Sequence, residues 1–284
     1  MIEAPQWEDP RRVLARHGER PSRRYSQNFL VAESVVERIA AIAAPADGER
    51  IVEIGPGVGT LTAALLRRGA RVEAIEKDPR MRAILEAELG PTGRFALVGE
   101  DAMALDLRAL APEGRVAVVG NLPYAITGAI FRQLVGGHRQ VDRAVLMTQR
   151  EVASRLVAEP GTKAYGPLSV FVGVVFAVEK VLDVSPGSFH PAPKVRSAVS
   201  VLTPREEPLA DPDDPTFMAV VRGGFGQRRK TLRNALGKVD GAADAMAALA
   251  IDSGRRGETL SLAEWVALAD AIRTAKPPSP PAEK

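Results

Sequence analysis

The feature that most constrains the fold is the alternation of strand-like and helix-like segments between residues 50 and 149. Short apolar runs such as "RIVEI" alternate with segments such as "TLTAALLRR", whose apolar residues recur at helical spacing. Five strand-like runs separated in this way favour a parallel sheet with helices on both faces. We therefore expect an α/β fold.

A Pro- and Asp-rich stretch, "TPREEPLADPDDPT", interrupts this alternation at residues 203–216, and only helical patterns follow it. We expect a small helical domain after this boundary. The predicted parts are a flexible basic N-terminal arm (1–24), the α/β catalytic domain (25–203), a helical C-terminal domain (204–274) and a disordered tail (275–284).

Composition excludes several classes of protein. The absence of cysteine excludes disulfides and thiolate metal sites, and the three histidines are widely spaced, so we expect no metal. No apolar run is long enough to span a membrane, and the N-terminus lacks a secretory apolar region. We expect a cytoplasmic protein with no membrane partner. The net charge of +3 permits a nucleic-acid partner without requiring one.

The first strand ends in a glycine-rich turn, "EIGPGVGT", at which Gly55 and Gly57 allow a ligand to approach the backbone. The spacing is not the G-x-G-x-x-G of dinucleotide-binding folds, and Pro56 lies inside the turn. The loop therefore favours S-adenosylmethionine. Glu76, about 20 residues further on, suits the hydroxyls of a ribose. Asp101 suits either an adenine amine or a helix N-cap, and the sequence does not decide between them.

The fourth strand ends in "GNLPY", which places an amide, a rigid turn and an aromatic ring together. The Asn121 side chain and the Leu122 carbonyl are hydrogen-bond acceptors, Pro123 fixes the turn, and Tyr124 offers a flat face. Two acceptors on an aromatic amine would draw its lone pair out of the ring and aim it at a methyl donor. The segment therefore predicts methylation of an exocyclic amine, by positioning and electrostatics.

Asn-Leu-Pro-Tyr resembles the signature of rRNA adenine N6-dimethyltransferases. Further similar segments are "YSQNFL" (25–30), "VEIGPGVGTLT", "SFHPAPKVRSAV" (188–199) and "GQRRKTLRNAL" (226–236), so that the resemblance covers roughly residues 22–240. The last two segments favour the bacterial 16S rRNA enzymes over the 23S rRNA enzymes. Ala125 departs from the family, which often has Asn at that position.

The resemblance implies a Rossmann-like S-adenosylmethionine-dependent methyltransferase. Its reaction would be the dimethylation of N6 of two adjacent adenines near the 3′ end of 16S rRNA, during biogenesis of the small ribosomal subunit. It implies cofactor contacts by Asn28, Leu30, Gly55, Gly57, Glu76, Asp101 and Asn121. It implies catalytic or target-base contacts by Asn121, Leu122, Pro123, Tyr124 and Phe189. In the C-terminal domain, we expect Arg228, Arg229 and Lys230 to contact phosphates.

The expected partner is 16S rRNA in the small subunit or its precursor, bound by a monomer. Two alternatives remain open at this point. One is a 23S rRNA adenine N6-methyltransferase that confers antibiotic resistance. The other is a non-catalytic RNA-binding factor of ribosome assembly, against which the intact segment 121–124 argues.

Overall fold

The computed structural model of this chain describes residues 5–99, 101–227 and 229–275. These residues form two compact units. The first consists of the described residues up to Ala153 together with Val178–Pro204, and the second of Ser154–Ala177 and the described residues from Arg205 onward. Arg228 and residues 276–284 of the predicted tail lie outside the described residues.

The strands, in chain order, are β1 (Phe29–Leu30), β2 (Arg50–Ile54), β3 (Arg71–Ile75), β4 (Phe95–Gly99), β5 (Val116–Asn121), β6 (Val141–Gln149), β7 (Phe176–Val184), β8 (Phe189–His190) and β9 (Ser197–Pro204). The helices are α1 (Pro10–Arg16), α2 (Glu33–Ala43), α3 (Thr60–Arg67), α4 (Pro79–Leu89), α5 (Leu107–Leu110), α6 (Thr127–Gly136), α7 (Arg150–Leu156), α8 (Pro167–Gly173), α9 (Pro215–Gly226), α10 (Leu232–Ala235), α11 (Ala242–Ala248) and α12 (Leu262–Ala275).

Within the described residues, seven strands form one sheet in the order β4-β3-β2-β5-β6-β9-β7. The pairs from β4 to β6 are parallel, and β9 is antiparallel to β6. The central strands are buried on both faces, as parallel strands covered by helices must be. The α/β prediction is confirmed: the five strands predicted within residues 50–149 are parallel to one another, and β9 is added as an antiparallel strand. That strand follows a loop, and an antiparallel neighbour needs no crossover helix.

Strand β2 lies between β3 and β5 in the sheet, and the glycine-rich turn follows the end of β2. Their carboxyl ends therefore meet at one edge of the sheet. Helix α4 begins at this edge because Asp78 caps it, accepting a hydrogen bond from the Arg80 amide at 3.1 Å, and because Pro79 suits the first turn.

The second unit has an aromatic core formed by Tyr165, Phe225 and Trp265. The Phe225 ring centroid lies 5.3 Å from that of Trp265 and 5.9 Å from that of Tyr165. A Cβ on Gly224 would collide with the Trp265 indole, so this contact requires glycine. Helices α9 and α12 therefore approach each other closely through a glycine and a buried tryptophan.

The division into units differs from the predicted one at two places. Residues 154–177 belong to the second unit, because Leu209 N donates to Val174 O at 2.8 Å and Gly173 packs against Leu262. The predicted flexible arm contains helix α1, on which Val13 and Leu14 are buried in a cluster that includes Phe29. The sequence does not reveal this helix, because three of its seven residues are arginines and only two apolar side chains are buried in the cluster.

Within the described part of the chain, no helix is both long enough and apolar enough to cross a membrane.

Candidate active site

A cavity of about 640 Å³ in the first unit lies at the carboxyl ends of β2, β3 and β5. In an open α/β sheet, this is the edge at which ligands bind. Most of the predicted site residues line it: Asn28, Leu30, Gly55, Gly57, Glu76, Asp101, Asn121, Leu122, Pro123 and Tyr124. The structure thus brings together residues that are up to 96 positions apart in the sequence.

The glycine-rich turn requires glycine for two different reasons. Gly55 and Gly57 have φ angles of +69° and +62°, which other residues rarely adopt. A Cβ on Gly57 would also lie 2.8 Å from Cε1 of Phe29. The turn is therefore packed tightly beneath the segment that contains Phe29.

Glu76 is nearly buried, with 8% of its surface exposed, and lies directly after β3. Its Oε2 accepts from the Gly57 amide at 3.1 Å, and its Oε1 accepts from the Asp78 amide at 2.8 Å. Burial raises the pKa of Glu76, while these two amides act in the opposite direction. Because a carboxylate oxygen can accept two hydrogen bonds, each oxygen retains capacity for a ligand hydroxyl.

Asp101 has the N-cap geometry that was one of its two predicted roles. Its Oδ1 accepts from the Met103 amide and its Oδ2 from Lys77 Nζ, both at 2.9 Å. The hydrogen bond from Lys77 lowers the pKa of Asp101, so the side chain is a carboxylate. It also lines the cavity, so the cap and a ligand contact are compatible.

Glu53 is a cavity residue that sequence analysis did not single out. It lies within β2 and is 1% exposed. Burial raises the pKa of Glu53 to about 8, a nearby Thr62 hydroxyl lowers it, and the charge of Glu76 raises it. Among the described residues, Glu53 Oε2 has no hydrogen-bond partner of normal geometry, which fits a neutral carboxyl.

Asn121 is the last residue of β5, and a backbone carbonyl fixes the orientation of its amide. Its Nδ2 donates to Asn28 O at 3.1 Å, which leaves Oδ1 as the acceptor. The Leu122 amide is used by Met147 O at 3.0 Å. Among the described residues, no group donates to Asn121 Oδ1 or to Leu122 O. The two predicted acceptors are therefore present and available.

The turn after Asn121 is held by hydrogen bonds on both sides. Pro123 O accepts from the Ile126 amide and from the Thr127 hydroxyl, each at 3.2 Å. The Tyr124 hydroxyl lies 2.9 Å from Ser197 Oγ at the start of β9. The Tyr124 ring is thus fixed at its outer end and keeps its face for a planar ligand.

Residues 20–30, which we call the N-terminal strap, form one wall of the cavity. Gln27 Nε2 donates to Asp78 Oδ2 at 2.9 Å, and Gln27 Oε1 accepts from the Ser22 amide at 2.8 Å. Arg80 connects Asp78, at 2.5 Å, to Glu19. This network anchors the strap and with it the Asn28 carbonyl that orients Asn121. The roles of Gln27 and Asp78 are not evident from the sequence, because the two residues are 51 positions apart in the chain.

Of the five residues predicted to be catalytic or to contact the target base, Phe189 does not line the cavity. It is 5% exposed, belongs to the hydrophobic core of the first unit and lies opposite Leu30 in the β1–β8 pair. This pairing buries the ring beneath the strap, which explains its place in the core.

Two of the three predicted phosphate-contacting residues are described, and both belong to the second unit. Arg229 and Lys230 are exposed, directly after α9, and Arg228 lies outside the described residues. Within the described ranges, no group of three or more His, Asp or Glu side chains is placed to hold a metal ion.

Comparisons with a family model and with curated relatives agree on one family. A family model described as "Ribosomal RNA adenine dimethylase" matches residues 18–274. The chain is 46% identical to the "Ribosomal RNA small subunit methyltransferase A" of Anaeromyxobacter sp. strain K over 276 residues, which is 91% of this chain and 96% of that relative. It is 42% identical to the protein of the same name from Myxococcus xanthus, covering 97% of this chain and 100% of that one.

Two solved structures resemble this chain over 87% of its length. A dimethyladenosine transferase from Plasmodium falciparum has a TM-score of 0.75 at 24% identity, with 98% of that chain covered, and supports the fold. The "23S rRNA methyltransferase ErmE" has a TM-score of 0.67 at 27% identity, with 100% of that chain covered.

Proposed function

Since this chain belongs to the ribosomal RNA adenine dimethylase family and is therefore a methyltransferase, we propose that it dimethylates N6 of two adjacent adenines near the 3′ end of 16S rRNA. The donor would be S-adenosylmethionine. The observation that carries the proposal is the pair of available acceptors, Asn121 Oδ1 and Leu122 O, at the edge of the cavity. This arrangement suits an amine with two N–H groups.

The cavity fits the proposed cofactor. Gly55 and Gly57 remove the side chains that would otherwise fill the turn, and Glu76 keeps acceptor capacity for two ribose hydroxyls. Asp101, a carboxylate, suits an adenine amine, and Asn28 and Leu30 lie on the strap that forms the opposite wall. When bound, S-adenosylmethionine supplies an electrophilic methyl group.

The chain's own residues would act on the target amine. Asn121 Oδ1 and Leu122 O accept its two N–H groups, which draws the nitrogen lone pair out of the aromatic ring. Since Asn28 O holds the Asn121 amide, the acceptor needs no reorientation during the reaction. No strong base is required, because the amine loses its proton readily once it is methylated.

Tyr124 would stack on the target base, which must leave its helix to enter the cavity. Its hydroxyl contact with Ser197 fixes the ring for this purpose. For Phe189, the buried position beside Leu30 supports a different role, which is to hold the strap against the 186–197 loop rather than to touch the base.

The choice of 16S rRNA rests on the relatives. Relatives named small subunit methyltransferase A are 41–46% identical to the chain, whereas the 23S rRNA enzyme is 27% identical. We propose that the partner is the small ribosomal subunit or its precursor in the cytoplasm, and that the enzyme acts as a monomer. Arg229 and Lys230, with Arg228, would contact rRNA phosphates.

The test of the site compares two variants. Asn121→Ala removes the amine acceptor, so kcat should fall by about 100-fold or more while RNA affinity is retained. Asn28→Ala keeps the backbone carbonyl that orients Asn121. This variant should therefore bind S-adenosylmethionine more weakly but keep its kcat at saturating cofactor. Equal losses of RNA binding and turnover in Asn121→Ala would contradict the proposed role.

Glu76→Ala tests the cofactor site separately. The affinity for S-adenosylmethionine, measured by calorimetry, should fall, because both oxygens of Glu76 would be lost from the cavity. An unchanged affinity would remove Glu76 from the cofactor site.

A further inference from the structure

Two segments of the first unit carry positive charge with no carboxylate. They are the N-terminal strap (20–30, "RPSRRYSQNFL") and the loop 186–197 ("PGSFHPAPKVRS"), and together they contain five lysines and arginines. The whole chain is nearly balanced, with 38 basic and 35 acidic residues. The two segments therefore carry a local charge of +5, whereas the rest of the chain has 33 basic and 35 acidic residues.

Both segments border the candidate active site. The strap lines the cavity from Arg24 to Leu30, and its β1 pairs with β8, which lies within the loop. At its other end, the loop reaches Ser197, which contacts the Tyr124 hydroxyl at 2.9 Å. The strap and the loop thus form a connected rim along the side of the cavity on which Tyr124 lies.

The cations of this rim are exposed and have no ion-pair partner among the described residues: Arg20, Arg23, Arg24, Lys194 and Arg196. Their neighbours on α1 differ. Arg11 pairs with Asp9 at 2.5 Å, and Arg16 pairs with Glu8 and Glu88 at 2.8 Å. Arg11 and Arg16 are therefore used within the protein, whereas the cations of the rim remain available for an external anion.

A second depression, of about 500 Å³, extends the rim away from the cavity. Arg20 and His190 line it, together with Arg11 and Glu19, and the last two are already paired with Asp9 and Arg80. The available cation there is Arg20. The rim therefore continues beyond the space that one base would occupy.

We infer that this rim binds the phosphates of the RNA strand on either side of the target adenine. The inference rests on the proposed function and deepens it. A base that enters the cavity leaves its own phosphates outside, at the mouth, where the rim cations lie. Strap cations would hold one flank of the strand and loop cations the other. The rim belongs to the first unit, whereas Arg229 and Lys230 belong to the second.

The experiment measures how RNA affinity depends on salt. The probe is a short single-stranded RNA with two adjacent adenines, and the variants are Arg20→Ala/Arg23→Ala on the strap and Lys194→Ala/Arg196→Ala on the loop. Each lost phosphate contact should lower the slope of log K against log salt by about 0.7 for a single strand. Each double variant should therefore lower the slope by about 1.4 in total.

The matched control is Arg71→Ala/Arg115→Ala. These arginines are also exposed and without an ion-pair partner among the described residues, but they lie at the amino ends of β3 and β5, at the opposite edge of the sheet. The control should keep the wild-type slope. None of the six substituted residues lines the cavity, so affinity for S-adenosylmethionine should not change in any variant.

The inference is overturned if the rim variants keep the wild-type slope, or if the control variant lowers the slope as much as the rim variants do. It is also overturned if the wild-type protein does not bind the probe. Failure of the proposed function gives a different result. In that case, the wild-type protein binds RNA with the expected slope but transfers no methyl group to 16S rRNA.

Discussion

Replacing Glu53 with glutamine should flatten the pH dependence of the stability of the first unit. Burial raises the pKa of Glu53 from the ordinary value of 4.5 to about 8. Between these two values, the folded protein keeps a proton that the unfolded chain has lost. Stability contributed by the neutral carboxyl is therefore present at low pH and is lost as pH rises, by about 1.4 kcal/mol per pH unit.

The window of about 3.5 pH units gives a total on the order of 5 kcal/mol, which is a large fraction of the unfolding free energy of a typical domain. Glutamine has no such proton, so the Glu53→Gln variant should lack this slope. Its absolute stability will also change, because the amide has different hydrogen-bonding needs in a buried site. The prediction therefore concerns the difference in slope.

The two tryptophans make the assay specific to each unit. Trp7 packs against the core of the first unit, and Trp265 lies in the core of the second. With fluorine-labelled tryptophan, urea unfolding followed by NMR reports on the two separately. Between about pH 5.5 and 7.5, the free energy of unfolding reported by Trp7 should fall by about 3 kcal/mol more in the wild-type protein than in the variant. Parallel curves for the two proteins would refute the argument that Glu53 is neutral.

Substitutions at three further positions test particular contacts. Gly57→Ala should weaken S-adenosylmethionine binding by tenfold or more. An alanine at φ +62° is strained by about 1–2 kcal/mol, and its Cβ would lie 2.8 Å from Phe29. Wild-type affinity measured by calorimetry would contradict this prediction. Gly224→Ala should destabilise the second unit by about 3 kcal/mol, measured at the Trp265 resonance, since the indole cannot move without disrupting the core. Tyr124→Phe should retain stacking on the target base and most of kcat, because only the hydroxyl contact with Ser197 is removed. Tyr124→Ala should lose the stacking interaction, which is worth about 1–3 kcal/mol. Similar rates of methylation for the two variants would exclude stacking.

Much of the first unit was predictable because its signals are local. Apolar periodicity identified the strands and helices between residues 50 and 149, and the rule that parallel strands end at one edge brought Gly55, Glu76 and Asn121 together. The chemistry of "GNLPY" followed from residue types alone, because acceptors and a rigid turn have the same properties in any context.

Other features depend on contacts that no local pattern reveals. The Gln27–Asp78 hydrogen bond joins residues 51 positions apart, and the neutral state of Glu53 arises from burial rather than from its neighbours in sequence. Residues 167–173 are rich in β-branched and aromatic residues, yet they form α8, since tertiary context overrides a weak propensity. Phe189 follows the family motif but is buried beside Leu30, which only the β1–β8 pairing could show.

The most direct test of the proposed function maps N6,N6-dimethyladenine on the rRNA of a strain that lacks this protein. We expect two adjacent adenines near the 3′ end of 16S rRNA to be unmethylated. Purified protein with S-adenosylmethionine should then add two methyl groups to each on the isolated small subunit, and Asn121→Ala should not. A strain whose 16S rRNA keeps its dimethyladenines, or which loses methylation of 23S rRNA instead, would contradict the account.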